Sequence, residues 1–135
     1  MIAALIGVAS GAALIQFVYY CRSAVASVQS IELSDHVLSV AGIRDQRLAA
    51  DDFQRFFELV QLCPEQRSEK AGIGAVARYY KLLRILDQAF GKLMPAMSSW
   101  ARREEQNCSH FAAVMLDRRI SSSRDLFLHH ATNRP

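Results

Sequence analysis

The stretch IAALIGVASGAALIQFVYY, residues 2–20, decides how this chain folds. It carries no charged residue, and Gln16 is its only strongly polar side chain. A helix of this length rises roughly 28 Å, close to the ~30 Å hydrocarbon core of a bilayer. Hydrocarbon offers the backbone no hydrogen-bond partner, and a helix satisfies its N–H and C=O groups within the segment. The stretch reads as a membrane-spanning helix, with the rest of the chain as a domain outside the bilayer.

Within the span, Ala3, Gly7 and Gly11 form one row at four-residue spacing. Small residues on one face let a second helix backbone come close, so this row is the expected surface for helix–helix packing in the membrane. Gln16 lies on nearly the opposite side, where it either hydrogen-bonds a second neighbour or, being near the helix end, reaches interfacial water. Tyr19 and Tyr20 fall at headgroup level, where amphipathic rings settle, and Arg22 follows them. Arg22 is the nearest basic residue and lies C-terminal to the span, which assigns that side to the cytoplasm. Ala24-Val25-Ala26 resembles the cleavage site of a secretory signal. No Lys or Arg precedes the apolar run, however, and the run exceeds the usual signal core of about 7–15 residues. A retained anchor is the expectation.

The whole chain has 135 residues, of which 51% are hydrophobic and 21% charged, too apolar a mixture for disorder. Beyond the anchor it is long enough for one small domain with a modest core. Six glycines and three prolines are few for a many-turned β architecture, so the domain is expected to be helical. The net charge of +3 conceals an asymmetry. Residues 32–65 hold seven acids against three bases, and residues 66–135 hold twelve bases against six acids. The two halves neutralise each other within one domain, or the basic half faces anionic headgroups or an acidic partner. A net of +6 without dense Lys/Arg clusters falls short of a nucleic-acid footprint. Cys21, Cys63 and Cys108 are odd in number and widely spaced, which is no disulfide framework and suits a reducing compartment.

Residues 21–33 are expected to carry the first helix two turns beyond the membrane. Ser34 reads as the N-cap of a short helix through about Ala41, stopped by Gly42. Asp51-Asp52-Phe53-Gln54 reads as an acidic cap with a glutamine three residues on, in the manner of a capping box. The helix it opens carries Phe53, Phe56, Phe57, Val60 and Cys63 at core spacing, and Pro64 closes it or begins the next one. A long helix is expected from about Ser68 to Leu93. Its inner stripe is Ile73, Val76, Tyr80, Leu83, Leu86 and Phe90, widened by Leu82, Ala89 and Leu93. Arg78, Lys81, Arg84 and Lys92 lie on its other side, a basic face for solvent, lipid or a partner. Pro95 breaks the pattern. A last helix from about Ala96 to Ile120 presents Met97, Trp100, Ala101, Cys108, Phe111, Ala112 and Met115 inward, and Ser121-Ser122-Ser123 is expected to end it. The organisation expected is an anchor with its juxtamembrane extension over residues 1–30, a helical domain over 31–120 and a tail over 121–135. The small apolar cluster Leu126-Phe127-Leu128 in that tail is expected either to dock or to fray.

Catalytic and cofactor signals are weak. Gly72-Ile73-Gly74-Ala75-Val76-Ala77 matches the letters of a dinucleotide fingerprint, but polar, helix-prone residues precede it where a strand is required. Asp87 also comes too soon for the ribose acid, so the glycines are expected to allow a close helix crossing or to mark a helix start. Cys108 and His110 point to different sides of a helix, whereas Glu104 and Cys108 share a face without a third ligand nearby. His36 or His110 is left open as a lone axial ligand to a haem or chlorophyll, although no histidine lies within the span. No nucleophile elbow is present, and Cys63 and Cys108 fall on apolar stripes where inert thiols are usual. Asp51-Asp52 and Glu104-Glu105 diverge as helix neighbours and make no acid/base dyad.

The fold expected is all-α, a single transmembrane helix followed by a bundle of three or four helices. The function expected is non-catalytic: an accessory, scaffold or assembly subunit of a membrane protein complex. Its partners would be other transmembrane helices, in a homo-oligomer or a mixed complex, and the bilayer itself. The alternative is a regulatory binding module whose basic helix engages anionic lipid or an acidic partner. An enzyme whose site is distributed over the fold is the third reading. No catalytic, cofactor-binding or metal residue is assigned.

Overall fold

The computed structural model describes residues 1–33, 39, 42, 52–63 and 70–132. Four helices make up the described chain: α1 Ile2–Ala26, α2 Asp52–Leu62, α3 Lys70–Phe90 and α4 Pro95–Thr132. No strand occurs among the described residues, and the protein is all-α, an apolar N-terminal helix leading into a helical bundle.

α1 runs on past the apolar stretch and tightens into successive short turns, Val28 N–H to Val25 O, Gln29 to Ala26 and Ile31 to Val28. It is long and apolar enough to cross a membrane, and none of its most apolar window is buried in the molecule. Only its C-terminal end enters the domain: Cys21 and Val25, with Val28 just beyond, belong to the core.

The core is built around α4, which packs on α2 and α3, while the end of α1 closes it against α3 and α4. Six consecutive residues, Phe111 to Leu116, are buried, so α4 is wrapped on all sides there. α2 contributes Phe53, Phe56 and Val60, and Phe53 stacks on Tyr80 of α3 with ring centroids 4.3 Å apart. Phe57 and Cys63, expected inside, are only partly buried. On α3 the inner face comprises Val76, Tyr79, Tyr80 and Leu83. Tyr79 was absent from the expected stripe. Helices on more than one side of α3 widen its buried arc beyond one row of side chains. Leu86 is half-buried, and Ala89, Phe90 and Leu93 are exposed where the bundle ends.

Several boundaries differ from expectation. The Gln54 amide donates forward to Glu58 Oε1 at 3.2 Å, while Asp51, the expected cap, lies outside the described residues. The short helix expected over 34–41 lies, apart from Ser39, outside the described residues, as do Asp51, Pro64 and Ser68. Gly42 has φ 71°, the left-handed conformation favoured after a helix end, and its N–H bonds the Ser39 carbonyl. α3 stops at Phe90 rather than Leu93, and Pro95 opens α4 at a position where its missing N–H is no loss.

Ser121-Ser122-Ser123 does not end α4, which continues to Thr132. Ser123 and Thr132 each return their hydroxyl hydrogen to the carbonyl four residues back, so the helix absorbs groups that elsewhere compete with it. Leu126, Phe127 and Leu128 neither dock nor fray; they stand exposed on this extension.

Candidate functional site at the root of the apolar helix

The end of α1 meets α3 and α4 in a small polar cluster. The carboxyl group of Glu104, on α4, accepts the Tyr79 hydroxyl hydrogen at Oε2, 3.0 Å away. Its Oε1 faces Arg22 Nε of α1 at 3.7 Å. The Glu104 side chain keeps only 9% of its surface, whereas Arg22 keeps 55%. A carboxyl group so deeply placed requires a hydrogen-bond donor, and Tyr79, fully buried, supplies it. Burial first, and then the hydrogen bond to Glu104, push the Tyr79 phenol well above its ordinary range, so it stays a donor. The Arg22 contact is long and wet, a weak tie worth about 0–1 kcal/mol.

Beneath the cluster lie two thiols. Cys21 Sγ donates weakly to the Ala75 carbonyl at 3.7 Å, and Cys108 is fully buried on α4. Burial, then the charges of Glu104, Cys21 and Glu105, push the Cys108 thiol up, away from the thiolate that a nucleophile needs. Beside the cluster an open groove of about 390 Å³ runs along α1, lined by Tyr19, Arg22, Ser23, Gln29, Glu104 and Asn107 among others. Tyr19 and Tyr20 are both exposed, and Arg22 is joined to the domain through Glu104.

Of the expected basic face, Arg78, Lys81 and Arg84 lie exposed on α3, whereas Lys92 stands exposed in the turn after α3 has ended. Lys81 and Arg84 share a shallow groove of about 540 Å³ with Gln54, Tyr80, Ile85 and Gln88. Arg84 bonds the Tyr80 hydroxyl at 3.1 Å and sits 5.9 Å from the Tyr80 ring centre. Arg78 and Lys92 line no part of that groove.

Ala3 and Gly7 are exposed and Gly11 partly so; among the described residues, nothing beyond the helix's own turns comes within 4 Å of where a Cβ would stand on either glycine. Gly72 and Gly74 lie inside the first turns of α3 with open space around them, so they mark a helix start and not a close crossing. His110 is partly buried with its Nδ1 unpartnered, and its ring is hydrogen-bonded to the Ile31 backbone. Burial lowers its pKa, and the Ile31 bond opposes the shift. His36 lies outside the described residues. Among the described residues no three His, Cys, Asp or Glu side chains converge as a metal site.

Sequence reasoning missed Glu104 and Tyr79 as partners, although the signal for Glu104 was present. Ala101, Glu104, Cys108, Phe111 and Met115 repeat every three or four residues, which sets an acid in the middle of an apolar row. Comparison with protein families, with curated proteins and with solved structures gave no match.

Proposed function

We propose that this chain is a membrane-anchored, non-catalytic accessory or assembly subunit, held by α1 as a single span with its helical domain on the cytoplasmic side. The observation that carries the reading is a division within one helix. Ile2, Leu5, Ile6, Val8 and Ile15 stand in the open, while Cys21 and Val25 of the same helix are buried in the core. Each large aliphatic side chain left in water forgoes about 1.5–3 kcal/mol relative to burial. Several of them on one protruding helix call for cover by a bilayer or by other helices. The end of α1 also argues against a cleaved signal, because cleavage after Ala26 would remove Cys21 and Val25 from the core. Orientation follows from Arg22, the basic residue next to the span.

Mild-detergent extraction of the full chain, followed by sizing and mass spectrometry, tests the reading. Retention in carbonate-washed membranes and stoichiometric co-purification with other membrane proteins are expected. Release by carbonate would exclude the anchor, and a lone monomer would exclude the subunit role.

A second reading draws on the exposed basic face of α3. A regulatory module could use Lys81 and Arg84 at the mouth of their groove, with the exposed Arg78 on the same helix and Lys92 in the turn after it, to hold anionic lipid or an acidic partner. It predicts binding to anionic vesicles that weakens steeply with salt and is abolished by Gln at all four positions. Unchanged binding in that variant would sink it.

A further inference from the structure

Taking α1 as a membrane span, we infer that the groove at its root is a binding site for the phosphoethanolamine group of a zwitterionic phospholipid. The inference rests on the anchor reading for the depth of the groove and on the groove's own geometry for its chemistry. Along an unbroken helix Arg22 stands about 3 Å beyond Tyr20. The headgroup layer is roughly 5–7 Å deep on each side of the hydrocarbon, so Arg22 and Tyr19 border that layer.

Two opposite charges face the groove from two helices. Arg22, on α1, is more than half exposed and offers guanidinium N–H groups to a phosphate. Glu104, on α4, is nine-tenths buried, and the Tyr79 hydroxyl fixes its Oε2, which directs Oε1 toward the Arg22 side. A primary ammonium beside the phosphate would meet Oε1, with the exposed Tyr19 ring at the groove wall as a second attraction. Asn107 and Gln29 supply further polar groups to the wall. The 3.7 Å contact between Arg22 and Glu104 is loose, so a zwitterion entering between them gives each charge a closer partner at little loss. An anionic headgroup without an amine would gain Arg22 but meet Glu104 as a repulsion. That asymmetry selects the amine-bearing lipid.

The test uses the full chain in mild detergent, after its retention in carbonate-washed membranes has been measured. Phosphatidylethanolamine and phosphatidylglycerol with identical acyl chains are added in equal amounts, and retained lipid is read by native mass spectrometry. One phosphatidylethanolamine per chain is expected, favoured about fivefold, the scale of one partly exposed charge contact. Arg22→Gln should lower retention of both lipids. Glu104→Gln should erase the preference, and Tyr19→Leu should reduce it; the second variant keeps the test open should the first unfold, which thermal melting would reveal. Glycerophosphoethanolamine, the headgroup without acyl chains, should bind far more weakly, because only the acyl-chain lipid partitions into the micelle around α1 and so reaches a high effective concentration there. Equal binding of this soluble compound would overturn the lipid as source. Equal retention of both lipids, or retention indifferent to Arg22→Gln, in a carbonate-resistant chain would overturn the headgroup site alone. Release by carbonate would instead overturn the anchor reading beneath it.

Discussion

Arg119 is a buried cation whose reason lies on another helix. Its guanidinium donates to the Val60 carbonyl at 2.6 Å, near the C-terminal end of α2, where that carbonyl also accepts the Cys63 N–H at 3.3 Å. Arg119 thus ties the C-terminal end of α2 to α4. Replacing it by Met keeps much of the apolar stem and loses the charge-assisted bond, which should cost about 1.5–3 kcal/mol in a urea melt. A loss below about 0.5 kcal/mol would show that water replaces the guanidinium there. His110 makes the contrasting case. Its folded pKa lies below its ordinary value of 6.5, so the neutral ring favours the fold. The stabilisation it gives is complete above that value and is lost as pH falls through the folded pKa. Thermal midpoints should therefore drop between pH 7.5 and pH 5, and the drop should shrink in His110→Gln. An identical pH profile in the variant would remove His110 as the cause.

The turn between α3 and α4 is held at both of its ends by Asp87. Its backbone carbonyl accepts the Gly91 N–H at 2.8 Å, and its side chain accepts the Ser98 hydroxyl hydrogen and faces Arg102 Nε at 3.9 Å. A Cβ on Gly91 would run into that same carbonyl oxygen. Gly91→Ala should force the turn to shift, at about 1–3 kcal/mol as for other overpacked sites, and thermal melting would measure it. α1 is an element of a different kind, since among the described residues nothing beyond its own helix stands within 4 Å of where a Cβ would sit on Gly7 or Gly11. Gly7→Leu and Gly11→Leu should leave the melting of the domain unchanged while lowering the yield of co-purified membrane partners. Undiminished co-purification would count against this face.

For the whole molecule, the decisive question is where α1 stops being an appendage and becomes core. The boundary falls near Phe17 and Val18, the first residues of α1 packed on the core cluster. A chain beginning at Phe17 should melt like the full protein. A chain beginning at Ser27 loses Cys21 and Val25, and full burial of Val25 alone is worth about 1.5–3 kcal/mol. That is a large part of the 5–15 kcal/mol that holds a small domain, so a sharp fall in melting temperature is expected. Equal stability of the two truncated chains would mean that α1 and the domain are independent.

The amino-acid sequence by itself determined the helical class, the apolar first helix, and most of the inner stripes of α2, α3 and α4. Those features are periodic, and period reports which side of a helix avoids water. The exposed basic row of α3 was legible for the same reason. The ends of elements were less so, because the three serines that suggest a stop are tolerated wherever their hydroxyls can return to the helix backbone. Spacing sets Glu104 on an apolar row, but only the tertiary structure decided which groups let it stay inside. An acid is buried when donors from elsewhere in the chain reach it, and Tyr79 and Arg22 come from two other helices. The union of α1 with the bundle was decided in the same way. Whether Cys21 and Val25 form a linker or a core depends on what α3 and α4 present to them, and no local spacing encodes that.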